Sequence, residues 1–174
     1  IESAGVHSGD SAAVFPAYKA DPAATQQMIE ATAVVAREFG VRGFLNLQFA
    51  VRDGQVYLIE VNPRASRTVP FISRASGVEL VDAAVKLWHG MDLREQGLIN
   101  DSETGLSGVG LGQSVVGWAV KEAVFSFDRF VNTDPLLGPE MRSTGEGIGL
   151  GESCGEAFAK ASSATGTNLP VEWR

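Results

Sequence analysis

The sequence is short of three things whose absence narrows its class. It has one cysteine, Cys154, in 174 residues, which excludes an intrachain disulfide and fits a reducing compartment. It has 14 Lys and Arg against 21 Asp and Glu, a net charge of −7. That deficit argues against nucleic acid as the main partner, because neutralising a phosphate backbone needs a basic face. It has no apolar run long enough to cross a bilayer and no leader-like opening. The expected setting is cytoplasmic, with no membrane and no nucleic acid.

What is present is ordinary globular material, 44% apolar and 20% charged. A chain of this length suits one domain, or a domain with a tail, and can bury roughly 70% of its unfolded surface. It opens on Ile1 rather than Met, so we expect it to start inside something longer.

The first 20 residues read as loop and strand, with a polar turn over Gly5 to Ser11 and an extended stretch from Ala12 to Phe15. Asp21 and Pro22 predict a helix start, with Met28, Ile29, Ala31, Val35 and Phe39 as its apolar stripe and Gly40 as its stop. Phe44–Val51 and Val56–Val61 flank Arg52-Asp53-Gly54-Gln55 and read as a β-hairpin. Asn62–Arg67 is a polar loop, and Ser76-Gly77 another break. Leu80, Val81, Ala84, Val85 and Trp88 mark a second helix. Glycines at 105, 108, 110 and 112 suggest a mobile loop. Val115–Phe127 should be a strand, Leu136–Gly151 is rich in turn residues, and Glu152–Ala164 is the last helix, with Ala157, Phe158 and Ala161 inward. Residues 1–161 are expected to form the domain and 162–174 a tail.

The hairpin carries the most informative residues. Gln48 interrupts an apolar strand, and Glu60 and Asn62 lie two positions apart on the next, so those two share a face. Gln48 joins them only if the turn has the right parity. A two-residue Asp53-Gly54 loop pairs Arg52 with Gln55 and turns Gln48 away from Glu60. A three-residue loop pairs Val51 with Gln55, sets Asn46 opposite Glu60, and leaves Gln48 a diagonal neighbour. Turn chemistry permits both; we expect the odd loop because it gathers the three polar groups. Together they offer one carboxylate and two carboxamides, a hard-oxygen set suited to Mg²⁺ or Mn²⁺. On spacing alone, a buried hydrogen-bonding Gln48 and a surface Glu60 are the commoner arrangement. Arg64 and Arg67 follow at once, and guanidinium groups grip phosphate or carboxylate in a bidentate way.

Three stretches, Val6-His7-Ser8-Gly9-Asp10-Ser11, Glu60 to Phe71 and Asp134 to Glu146, together resemble the carbamoyl-phosphate synthase large subunit over Ile1 to Ala161. They resemble its second, carbamate-phosphorylating unit most. Three long motifs in order are far more specific than one short pattern. The resemblance implies an α/β fold, the C-terminal half of an ATP-grasp domain, with a mixed, mostly antiparallel sheet covered by helices. It implies an ATP-dependent ligase reaction in pyrimidine and arginine biosynthesis, using ATP, Mg²⁺ or Mn²⁺ and optionally K⁺. The small-molecule partners would be ATP, carbamate or bicarbonate, and ammonia, with a glutamine amidotransferase subunit beside them. By the same resemblance Gln48, Glu60 and Asn62 match metal ligands, and Gln48 and Glu60 also match ATP contacts. Gly5, Val6, His7 and Ser8 match a nucleotide-contacting loop, and Arg64 and Arg67 the catalytic arginines. His89 and Cys154 are expected to be structural. Two alternatives stay open: another ATP-grasp carboxylate ligase of biotin-carboxylase type, and a fragment without catalytic competence.

Overall fold

The computed structural model describes residues 2, 5–17, 19–99, 117–127, 134–167 and 169. The glycine-rich stretch 105–112 lies outside them, as does most of the tail after 167. The chain divides into two compact units, one formed by residues 1–16 with 114–174 and the other by 17–113.

In the first unit, β1 (Ala13–Phe15), β4 (Trp118–Val124) and β5 (Gly145–Gly151) form an antiparallel sheet in the order β1-β4-β5. Helix α4 (Cys154–Ala164) lies against β4 and β5. Ser153 caps it, its side chain accepting the Glu156 N–H. Strand β5 falls in the stretch expected to be turns. Its glycines, at 145, 147, 149 and 151, alternate with Glu146, Ile148 and Leu150. Turn-forming chemistry and a strand face stripped of side chains look alike in composition. Here the second applies: a Cβ placed on Gly149 would lie 1.9 Å from the Ala157 carbonyl oxygen, and one on Gly151 2.9 Å from the Ala157 nitrogen. The helix backbone therefore rides directly on the strand backbone. Ala157 and Ala161, both fully buried, complete the contact and join Val120, with Val14, Trp118 and Phe158 around them.

The other end of this unit is tied by a buried charge. Asp10 is 1% exposed, and its carboxylate accepts the backbone N–H groups of Arg142 and Ser143, each at 2.8 Å. Burial pushes the Asp10 carboxyl up, but hydrogen bonds from the Ser143 side chain and from the Arg142 and Ser143 backbones, with His7 nearby, outweigh it and hold the pKa below the ordinary value. Lys121, 3% exposed on the central strand, donates to the Ser11 carbonyl at 3.0 Å.

The second unit contains α1 (Pro22–Glu38), β2 (Asn46–Arg52), β3 (Gln55–Asn62), α2 (Thr68–Ser76) and α3 (Leu80–Trp88). Helix α1 starts as the sequence predicts, Asp21 accepting the Ala23 N–H and Pro22 opening the first turn. Gly40 follows its end at φ +59°. The apolar stripe is not closed over: Phe39 sits past the helix as its cap and is 65% exposed. Helix α2 is not anticipated by the sequence reading. Its third residue is Pro70, tolerated because the first-turn N–H groups have no intrahelical partner. Phe71 and Ala75 bury its inner face, and Gly77 stops it at φ +72°. After α3, Trp88 donates its indole N–H to the Arg42 carbonyl at 2.9 Å and meets Phe44 edge-on. Gly43 makes room there: its φ is +109°, and a Cβ would come within 2.8 Å of the Trp88 ring nitrogen. His89 lies at the helix end with its Nδ1 2.9 Å from the Val85 carbonyl.

The α/β fold class thus holds, with every strand pair antiparallel among the described residues. Two outcomes are expected of the first unit. Gly149→Ala must separate α4 from β5 and should destabilise by about 2–3 kcal/mol, as overpacking does; an unchanged urea midpoint would contradict the close approach. Asp10 should contribute stability above its unfolded pKa, near 3.9, and lose it as pH falls through the lower folded value. Acid unfolding curves of wild type and Asp10→Asn should therefore lie furthest apart above about pH 4 and draw together as pH falls from there through the lower folded value.

Candidate functional site

The hairpin turn is the two-residue one. Arg52 pairs with Gln55, and Asp53 and Gly54 both have positive φ, +53° and +76°, as a type I′ turn requires. The expected three-residue loop is therefore wrong. By parity alone Gln48 would face away from Glu60. It does not, because the ladder shifts between Gln48 and Phe49: Phe49 pairs with Leu58, and Gln48 with Glu60. Ile59 is the extra residue of a β-bulge, which resets the phase by one. Beyond it Asn46 pairs with Asn62.

The bulge sorts the hairpin into two chemically distinct faces. Leu47, Phe49 and Val51 share one face with Val56, Leu58 and Val61. Asn46, Gln48 and Arg52 share the other with Gln55, Tyr57, Glu60 and Asn62. Were Ile59 paired with Gln48 in a regular ladder, Glu60 and Asn62 would fall on the apolar face, so hydrophobic patterning and the polar constellation require the same register. Gln48 and Glu60 are directly opposed, a closer arrangement than the diagonal expected. Gln48 and Asn62 are half-buried and Glu60 exposed. Two amide oxygens and one carboxylate on one face are a hard-oxygen set, which fits Mg²⁺ or Mn²⁺ and not a soft metal. No group of three His, Cys, Asp or Glu side chains that could hold a metal forms among the described residues.

The loop after β3 is drawn back onto the hairpin. Arg64 donates its backbone N–H to the Asn62 carbonyl at 2.8 Å, and its guanidinium to the Ala65 carbonyl at 2.9 Å. Ser66 accepts from the Asn46 side chain and from the Thr68 N–H, both at 3.2 Å. It thereby joins the start of β2 to the first turn of α2. The sequence reading gave Asn46 and Ser66 no role here; the one signal was an Asn at the mouth of an apolar strand. Arg64 is exposed and Arg67 half-buried. Asn46, Arg64 and Ser66 also line a pocket of about 390 Å³ whose other walls include Ile72, Leu87 and Leu98.

The loop Gly5–Ser8 belongs to the first unit, so its geometry is given by itself. His7 donates its N–H to the Gly138 carbonyl at 2.8 Å, and its Nδ1 accepts the Gly9 N–H at 3.0 Å. A backbone N–H can only donate, so the neutral ring carries its proton on Nε2. Gly5 and Ser8 are exposed and Val6 half-buried.

A family model described as "Carbamoyl-phosphate synthase L chain, ATP binding domain" matches residues 2–96, a span that includes all the candidate positions. The carbamoyl phosphate synthase large chain of Gemmatimonas aurantiaca is 49% identical over 99% of this chain and 15% of its own length. That of Vibrio cholerae is 47% identical over 98% of this chain and 15% of its own. The chain thus spans about 15% of the length of these curated relatives. Among solved structures, a biotin carboxylase domain of a single-chain bacterial carboxylase superposes with a TM-score of 0.64 at 20% identity, covering 88% of this chain and 39% of that one. At that identity the likeness is one of fold. The chain belongs to the carbamoyl-phosphate synthase L chain, ATP binding domain family.

Proposed function

We propose that this chain supplies the metal-holding and phosphate-facing part of an ATP-dependent ligase that phosphorylates carbamate to carbamoyl phosphate. The observation that carries the reading is the direct pairing of Gln48 with Glu60, and of Asn46 with Asn62, on one polar hairpin face. Gln48, Glu60 and Asn62 would hold a divalent cation, Mg²⁺ or Mn²⁺, with Gln48 and Glu60 also reaching ATP. When bound, the cation supplies charge neutralisation at the transferring phosphate. Glu60 brings the anionic oxygen needed to compete with the hydration shell, and the two carboxamides orient without adding charge. Arg64 and Arg67 hold the acceptor and the charge that develops in transfer, a task of positioning more than of covalent chemistry. Gly5, Val6, His7 and Ser8 contact the nucleotide, His7 offering a ring N–H donor. By the same resemblance K⁺ would be a further ion. Ammonia would come from a glutamine amidotransferase partner, the enzyme working in the cytoplasm.

Three results test this reading. Glu60→Gln keeps the shape and removes the only carboxylate of the set. It should weaken Mn²⁺ binding by at least about tenfold and, in the whole enzyme, abolish most carbamoyl phosphate formation. Unchanged Mn²⁺ dependence would rule out the ligand role. Deleting Ile59 removes the bulge yet leaves Gln48 opposite Glu60, so Mn²⁺ binding should survive. The 174 residues alone should fold and turn over little ATP, because in-line positioning accounts for roughly 7–11 kcal/mol of such barriers. Turnover by this chain at the rate of a whole relative would defeat that expectation.

A further inference from the structure

The motif Asp134 to Glu146 is the most distinctive stretch of the sequence, and the proposed chemistry uses none of it. Its location suggests a use. The turn that follows the nucleotide-contacting loop is tied to residues 138–143 at three positions, His7, Gly9 and Asp10. His7 donates to the Gly138 carbonyl at 2.8 Å. The Ser143 hydroxyl donates to the Gly9 carbonyl at 3.1 Å. Arg142 and Ser143 each donate a backbone N–H to the buried Asp10 carboxylate at 2.8 Å. Gly9 sits so close to Met141 that a Cβ would lie 2.8 Å from its sulfur. The receiving segment is itself braced: Asp134 accepts the Leu136 N–H at 2.9 Å, and the Arg142 guanidinium reaches back to the Asp134 carbonyl. A charged acceptor shared by two backbone donors is among the stronger hydrogen-bonding arrangements. Buried at 1% exposure, it cannot be relaxed by water.

We propose that Gly138–Ser143 is the seat of the loop Gly5–Ser8, and that Asp10 is the positioning residue through which that seat fixes His7 for the nucleotide. This rests on the reading of Gly5–Ser8 as a nucleotide-contacting loop. Asp10 does not touch the nucleotide; it acts through His7. The tie from Asp10 closes within the turn, where the Asp10 N–H donates to the His7 carbonyl at 2.9 Å and the Ser11 hydroxyl to the same oxygen at 3.1 Å.

A double-mutant cycle on this chain tests the proposal. MgADP affinity is measured by titration calorimetry for wild type, Asp10→Asn, His7→Ala and the pair, with amide hydrogen exchange followed in each. Asp10→Asn should weaken MgADP about tenfold in the wild-type background and by less than about twofold when His7 is already alanine. Exchange at His7, Arg142 and Ser143 should rise while β4 and β5 keep their protection. Equal losses in both backgrounds would mean general disruption and would overturn the positioning role, as would unchanged affinity in Asp10→Asn. Should Asp10→Asn fail to fold, Ser143→Ala removes the hydroxyl ties to Gly9 and Asp10 while keeping the Ser143 backbone donor, and carries the same cycle with a loss of about threefold. Wild-type chain that protects Arg142 and Ser143 yet binds no MgADP would refute the nucleotide reading of the loop and leave Asp10 a purely structural tie.

Discussion

The parity of a β-strand allows no half-measures: a residue faces one way or the other, and a single-residue slip exchanges the two faces. The hairpin depends on that constraint. Its turn has an even number of residues, and setting Gln48 opposite Glu60 needs an odd offset; Ile59 absorbs the difference. The polar face, the loop that Ser66 ties back to Asn46, and the start of α2 all follow from where the ladder stands after the bulge. Bulges often sit beside functional sites for this reason: they re-aim a side chain without moving the strand that carries it.

The first unit solves a different problem by removing side chains. Alternate glycines on β5 let α4 approach at backbone distance, so dispersion between main chains replaces the usual interdigitation. The same unit then buries an ionised Asp10, which burial alone would disfavour. It does so where the Ser143 side chain and two backbone N–H groups, with His7 nearby, outweigh burial, so the carboxylate is held below its ordinary pKa and not neutralised. Close backbone packing at one end and a satisfied buried charge at the other both favour one arrangement over its neighbours.

Local signals proved legible where chemistry is stereotyped. Asp21-Pro22 began a helix, Gly40 followed its end, and Ala157 and Ala161 faced inward, each from a short-range rule. Strand β5 was missed because glycine serves turns and close approaches alike, and only the partner helix distinguishes them. Helix α2 was missed because Pro70 reads as a breaker until its place in the first turn is known. The shared polar face of Gln48, Glu60 and Asn62 was anticipated for a reason that was half wrong. Parity was the right question, but the correction was sought in the turn. The signal for the bulge lay in the chain: the aliphatic residues of β3 run Val56, Leu58, Ile59 and Val61, a jump from even to odd positions at Ile59. Asp10 gave no such signal, because its partners lie more than 130 positions away.

Placing the phase correction at Ile59 also separates the tip of the hairpin from its functional end. Asp53 and Gly54 have only to reverse the chain; they do not decide which way Glu60 points. The tip is therefore a natural port for grafting. A reporter peptide or small domain with adjacent ends could be spliced there, and the bulge would keep the far end in phase.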